Sequence, residues 1–304
     1  MHSQESSAGA PVGIAGVGIM GRAMVRNLVA AGFPVVGFDP SPTAVKSLIE
    51  LGGQPALNLE DLAGRCAYVV SCLPSVAALD TVIQEICAKP GRVRVLAETS
   101  TFPLKDKLRA RDRLLAAGVA MLDAPLSGSG NQAWERDVVV YASGDRGAFD
   151  AFKPVFDGFS RAPHHLGEFG NGTRMKFVAN LLVAIHTAAA GEAFALARKA
   201  GLDPGQVLAM VSDGAGFSRS LGARGDMLVA DRYEPVRTMP LDLWKKDLKV
   251  IGEFATEIGC PTPLFSTSTS LFMSALACGL GSQDTASVAR ISENLAGIPP
   301  PARE

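Results

Sequence analysis

An apolar run, Val12-Gly13-Ile14-Ala15, leads directly into Gly16-Val17-Gly18-Ile19-Met20-Gly21, then a helix-compatible stretch to Ala31 and a second apolar run, Val35-Val36-Gly37-Phe38, that ends on Asp39. This order of strand, tight turn, helix, strand and terminal carboxylate restricts the possible folds more than any other feature. Gly16 permits the turn, and Gly18 lets the backbone approach a pyrophosphate. Gly21 lets the helix pack on the strand while its first N–H groups face the phosphate charge, with Ile19 and Met20 completing the turn. With 32 glycines in 304 residues a bare GxGxxG arises by chance. Context makes it specific: a strand precedes it, Gly32 closes the helix, and the acid stands 23 positions after Gly16, near the roughly 20 expected of a ribose ligand. The segment reads as a dinucleotide site, against the alternative of a merely structural βα turn.

Asp39 bears on which dinucleotide. A carboxylate accepts hydrogen bonds from both ribose hydroxyls of NAD and repels a 2′-phosphate, which calls for an arginine. The following residue is Pro40 rather than a base. NAD is therefore favoured over NADP, with Lys46 and Arg22 left as the cations that would serve a phosphate.

The length suits two domains, and 47% apolar with 19% charged residues fits buried helices and parallel strands. With 29 basic and 30 acidic side chains, nothing points to a nucleic acid or a membrane surface. Cys66, Cys72, Cys87, Cys260 and Cys278 lack metal spacing and read as small hydrophobes in a reducing cytoplasm. His2, His164, His165 and His186 form no ligand set, so no metal is expected; His186 reads as a helix residue and the 164–165 pair as loop or edge. Residues 1–10 are polar and small, expected to be loose and without the apolar core of a signal peptide. No uninterrupted apolar run reaches the ~18 residues of a membrane span.

From residue 12 to about 166, short β-prone runs alternate with helical ones. Tyr68–Cys72, Val93–Ala97, Val119–Leu122 and Val138–Ala142 are strands, Thr43–Leu51 and Leu104–Ala117 helices, and the alternation predicts a doubly wound parallel α/β sheet. Thr173–Ala200 reads as one long helix. Asp203-Pro204 opens the next with an N-cap and a proline at the first helical position, and helices with Gly/Pro breaks continue to about Leu295. The expected organisation is a dinucleotide-binding domain over 11–169, an all-α domain over 170–298 beginning with an interdomain helix at 170–200, and a loose tail at 299–304.

Three further segments carry chemistry. Asp123-Ala124-Pro125-Leu126-Ser127-Gly128-Ser129-Gly130 is a strand ending in a serine/glycine loop, whose hydroxyl and N–H donors suit a carboxylate or polyol oxygen; the alternative is a flexible turn. In Gly170-Asn171-Gly172-Thr173-Arg174-Met175-Lys176-Phe177-Val178-Ala179-Asn180, Lys176 and Asn180 share a helix face, and apolar neighbours leave Lys176 either against a dry wall or solvated. Leu241-Asp242-Leu243-Trp244-Lys245-Lys246-Asp247-Leu248 mixes charge with apolar residues, as an exposed helix face also would.

Taken in order, these segments resemble the β-hydroxyacid dehydrogenase family, which includes 3-hydroxyisobutyrate dehydrogenase and tartronate semialdehyde reductase. The resemblance runs from Val12 through the helical region. It rests on GVGIMG at 16–21, Cys72-Leu73-Pro74, Glu98-Thr99-Ser100-Thr101, DAPLSG at 123–128, GNGTRMK with Asn180, and Lys246-Asp247. It implies a Rossmann-type domain, then an all-α domain that pairs subunits into a homodimer or homotetramer, and NAD or NADP as cofactor. By the same resemblance Lys176 is the general acid/base, Asn180 orients the substrate, and the loop of Ser127 and Gly128 binds its carboxylate, with the adjoining Ser129 a further substrate-binding candidate. Leu73, Pro74 and Thr101 line the cofactor with Gly16, Gly18, Ile19, Met20, Gly21 and Asp39, and Lys246 closes over the nicotinamide end. Such an enzyme transfers hydride between nicotinamide and a small β-hydroxy acid or its semialdehyde. A neutral lysine, brought toward a pKa of roughly 7–8 by burial and a nearby cation, would take the hydroxyl proton.

The chain departs from the family's pattern at Ser129, Gln132, Trp134, Arg136 and Ala179, so an altered substrate pocket is expected. Reduction of another small carbonyl, such as glyoxylate or succinic semialdehyde, is the alternative on the same scaffold. A non-catalytic nucleotide-binding scaffold is the alternative outside enzymes. The chain is too short for the extended helical domain of full-length 6-phosphogluconate dehydrogenase.

Overall fold

A computed structural model describes residues 9–236 and 238–299. The loose segments expected at 1–10 and 299–304 fall mostly outside these residues, as does His2. The chain divides into two compact units, Met1–Lys176 and Phe177–Glu304.

The first unit opens with β1 (Val12–Ala15), α1 (Ile19–Ala30), β2 (Val35–Phe38), α2 (Pro42–Glu50) and β3 (Gln54–Pro55). It continues with α3 (Leu59–Arg65), β4 (Tyr68–Ser71), α4 (Val76–Ala88), β5 (Val95–Glu98), α5 (Leu104–Ala116) and β6 (Ala120–Asp123). These strands form a parallel sheet in the order β3-β2-β1-β4-β5-β6. Alternate β1 residues feed opposite faces: Val12 and Ile14 pack with Met24, Leu28, Phe152 and Phe156, while Ala15 packs with Leu62, Val69 and Ile83. Burial on both faces explains why the strands read as unbroken apolar runs. The strand order reverses at β1, so the carboxyl ends of β1 and β4 meet at the switch point where such sheets hold their ligands.

A second, three-stranded sheet joins β7 (Leu126–Ser127), β8 (Val139–Ala142) and β9 (Ala162–His165), with α6 (Gly130–Trp134) and α7 (Arg146–Phe159) between them. Val138–Ala142, which the alternation assigns to the main sheet, therefore lies in this separate one. Its strand β8 runs antiparallel to β7 because the chain reverses through the short α6, whereas β9 returns parallel to β8 after α7. His164 and His165 end the edge strand β9.

The long helix α8 (Asn171–Lys199) begins in the first unit, and its first turn is anchored there. It is the one helix among the described residues long and apolar enough, by length and composition, to cross a bilayer. Its buried side chains supply a different reason for that composition: Phe177 and Ala184 join one apolar core of the second unit, and Ala190 and Phe194 join another. The second unit is completed by α9 (Pro204–Asp213), α10 (Arg219–Ala230), α11 (Leu241–Glu257), α12 (Pro263–Ala277) and α13 (Ala289–Leu295). As expected, Asp203 caps α9 by accepting from the Gln206 N–H at 2.8 Å.

Candidate active site

The glycine turn between β1 and α1 is built for close approach. Gly16 has φ +95°, and a Cβ there would sit 2.2 Å from the Cys72 carbonyl oxygen. A Cβ on Gly21 would lie 2.1 Å from the Gly16 carbonyl oxygen, whereas one on Gly18 would meet no atom within 4 Å. Gly16 and Gly21 thus fix the turn against its neighbours, and Gly18 faces open space. No side chain caps α1 and no acid lies in its first turn, so its leading N–H groups retain their partial positive charge. Ile19 is exposed beside the turn, and Met20 packs inward against Ala133 and Val138. These features fit a pyrophosphate.

Asp39 follows β2 and is tied to the same turn. Its Oδ2 accepts from the Val17 N–H at 2.8 Å and its Oδ1 from the Ser41 N–H at 2.9 Å. A carboxylate has about four acceptor positions, so both oxygens retain capacity for ribose hydroxyls. Leu73 and Pro74 follow β4; the Leu73 N–H donates to Ser100 Oγ at 2.8 Å, which joins this turn to the segment carrying Thr101.

Ser127 lies in β7 and is half-buried, and the exposed Gly128 that follows has φ +144°, where a Cβ would press on Val138. Ser129 accepts from the Gln132 N–H, and the Gln132 side chain returns the bond to the Ser129 N–H at 2.9 Å, closing a capping box on α6. The Gln132 amide also reaches Asp137, Trp134 lies under the Arg26 guanidinium, and Arg136 donates to the carbonyls of Asp157 and Ser160. These side chains hold α6 to its surroundings.

Lys176, 9% exposed, sits in the second turn of α8. The first turn is anchored by Asp123, which the DAPLSG segment included without a role, and by Ser143, which lay outside every motif. Asp123 accepts from the Thr173 N–H and the Thr173 hydroxyl, each at 2.7 Å, and Ser143 Oγ accepts from the N–H groups of Gly170 and Gly172 at 3.2 and 2.9 Å. A carboxylate at a helix N-terminus is favoured by the helix dipole as well as by these bonds. Asp123 in turn pairs with Lys107, buried in α5. Burial opposes the lysine charge, but Asp123 and Glu98 outweigh it and raise the Lys107 pKa, so the ammonium stays charged.

In the second unit, Asn180 is buried and its Nδ2 donates to Asp247 Oδ2 at 2.9 Å. That bond fixes the amide's orientation and leaves its carbonyl for other partners. Lys246, half-exposed, approaches the same carboxylate at 3.4 Å. Asp247 is thus an orienting residue that the sequence pattern included without a role. Among the described residues no group of three or more potential metal ligands occurs.

Residues 11–167 match the model of the NAD-binding domain of 6-phosphogluconate dehydrogenase, and residues 170–292 match that of the NAD-binding region of NADP-dependent 3-hydroxyisobutyrate dehydrogenase. The chain belongs to the β-hydroxyacid dehydrogenase family. It is 31% identical to L-threonate dehydrogenase of Haemophilus influenzae over 285 residues, 92% of this chain and 94% of the relative. Glyoxylate/succinic semialdehyde reductase 1 of Arabidopsis thaliana is 27% identical, covering 91% of this chain and 96% of that protein. The crystal structure of a 3-hydroxyisobutyrate dehydrogenase from Salmonella typhimurium superposes with a TM-score of 0.82 at 30% identity, covering 93% of this chain and 99% of that one. As a member of this family the protein is an NAD(P)-dependent oxidoreductase acting on a hydroxyl group.

Proposed function

We propose that this β-hydroxyacid dehydrogenase oxidises a small hydroxy acid, or reduces the matching carbonyl compound, with Lys176 as general acid/base. The observation that carries this reading is the placement of Lys176: a buried side chain directly after the first turn of α8, which Asp123 and Ser143 anchor, just C-terminal to the strands of the first unit. In the oxidising direction neutral Lys176 takes the hydroxyl proton, and in the reducing direction the ammonium returns it. NAD supplies the hydride acceptor when bound, held by the Gly16–Gly21 turn, Asp39, Leu73, Pro74 and Thr101. Asp39 supports NAD over NADP. Ser127, Gly128 and Ser129 are assigned to the substrate carboxylate and Asn180 to its orientation, with Lys246 closing the site.

The similarity to L-threonate dehydrogenase makes a four-carbon polyhydroxy acid the first substrate to test, with 3-hydroxyisobutyrate beside it and glyoxylate and succinic semialdehyde in the reducing direction. We further read the protein as a cytoplasmic homodimer or homotetramer. Val178, Leu182 and Leu196, exposed along one side of α8, support an association that sedimentation would measure. The deciding experiment is Lys176→Ala: kcat should fall by about 10²- to 10⁴-fold while NADH affinity stays within about twofold. Undiminished turnover would remove Lys176 from the chemistry, and absence of turnover in the native protein with every compound tried would favour a nucleotide-binding scaffold.

A further inference from the structure

The carboxyl ends of β5 and β6 place two acids side by side: Glu98 and Asp123 are register partners on adjacent parallel strands. Both side chains are fully buried, and so is Lys107, whose Nζ lies 2.7 Å from Glu98 Oε2 and 2.9 Å from Asp123 Oδ1. The outward bonds of the two acids lead to different places. Glu98 Oε1 accepts from the Ser100 N–H at 2.9 Å, and Ser100 Oγ accepts from the Leu73 N–H, so this arm ends on the turn assigned to the cofactor. Asp123 accepts from both donors of Thr173, so that arm ends on the α8 turn immediately before Lys176.

We propose that Lys107 is a positioning residue: its ammonium, held between Glu98 and Asp123, locks the Leu73–Pro74 turn and the Lys176-bearing end of α8 into one frame. This rests on the roles given above to Lys176 and to the Leu73–Pro74 turn. Stability alone does not call for the arrangement, because buried ion groups are often replaceable by apolar side chains at no net cost. What apolar side chains cannot supply are the carboxylate oxygens that aim the N–H groups of Ser100 and Thr173. Removing the ammonium takes away the cation that both buried carboxylates share, so they and the N–H groups they hold must rearrange. The acid/base residue and the cofactor turn would then lose their common reference.

Three variants separate the arms, each measured by NADH fluorescence titration, kcat at saturation and the pH dependence of kcat. Thr173→Val removes the hydroxyl bond to Asp123 and should lower kcat about tenfold or more and displace the pH profile, with NADH affinity within about twofold, since misplacement by about 1 Å costs up to about a hundredfold. Ser100→Ala removes the acceptor for Leu73 and should weaken NADH binding about tenfold while kcat at saturation changes far less. Lys107→Met should show both defects; if it fails to fold, the split between the other two variants decides. Thr173→Val and Ser100→Ala enzymes that keep native kcat, affinity and pH profile, or that lose only thermal stability, overturn the proposal. Lys176→Ala distinguishes the two levels. Full turnover in that variant defeats the acid/base assignment, whereas its inactivity beside a folded, kinetically native Lys107→Met enzyme defeats the frame alone.

Discussion

The three glycines of the first turn should respond differently to the same added methyl. At Gly16, alanine must adopt a positive φ, costing about 1–2 kcal/mol, and its Cβ would stand 2.2 Å from the Cys72 carbonyl oxygen. Relief requires moving β4 or the turn, as in an overpacked core, for about 1–3 kcal/mol more. Gly16→Ala should therefore destabilise by about 2–5 kcal/mol, and at roughly 2–4 °C per kcal/mol its melting temperature should fall by about 4–20 °C. Gly21→Ala recovers up to about 1 kcal/mol of helix propensity but drives a Cβ to 2.1 Å from backbone, leaving a smaller net loss. Gly18→Ala meets open space and costs at most about 1 kcal/mol as a changed N-cap residue. Its methyl nevertheless occupies the approach to the helix N-terminus, so NADH affinity should drop more than about tenfold with the fold intact, because amide donors pushed off the phosphate lose charge-assisted bonds. Circular-dichroism melts and NADH titration of the three proteins read both quantities. Native NADH affinity in Gly18→Ala, or a Gly16→Ala protein as stable as the parent, would refute the reasoning.

Asp39→Asn keeps one acceptor for the Val17 N–H but removes the charge, so the ratio of NADPH to NADH dissociation constants should narrow by about tenfold or more; an unchanged ratio would take Asp39 out of cofactor choice. Asp247→Ala frees the Asn180 amide and should raise KM for the organic substrate about tenfold while NADH affinity holds, as steady-state kinetics and titration would show. Burial pushes the Cys66 thiol from 9.0 up to about 12, so the unfolded chain releases this proton before the folded one does. The raised value gives stability that is complete below pH 9 and is lost as pH climbs toward 12. Urea unfolding should accordingly show the advantage of the native chain over Cys66→Ala shrinking by about 1 kcal/mol per pH unit above 9, and a constant gap would contradict this.

The parts legible in the sequence are those where one element satisfies its own chemistry. The runs at Val12, Val35, Tyr68, Val93 and Val119 are apolar on both faces because helices cover both, and each lies within about two residues of its strand. Asp203-Pro204 marks α9 because cap and first turn are local. The two-residue strands β3 and β7 escaped because they are too short for a period, and the second sheet escaped because pairing partners are not written into a single run. The contacts of Trp134 and Arg136 were not legible for a related reason: their partners Arg26 and Asp157 are reached through the fold, not along the segment.

Lys107 shows where the remaining information lay. Helix α5 is charged nearly all round, and no apolar stripe announces its inner face, yet the buried positions are Lys107, Ala110 and Leu114, the spacing of three and four that marks one side of a helix. A lysine on that side cannot remain dry unless acids meet it, and the acids must come from the ends of the strands the helix covers. Glu98 closes β5, immediately before α5, and Asp123 closes β6, immediately after it, so the helix crossing between two adjacent parallel strands carries the cation that their two terminal carboxylates require. The same acids carry the bonds to Ser100 and Thr173. In this fold the charge that satisfies the crossover helix and the geometry that would aim Lys176 are one arrangement, so a substitution at Lys107, which strips the shared cation from two buried acids, should lower kcat and cofactor affinity together with stability, the last by about 3–5 kcal/mol.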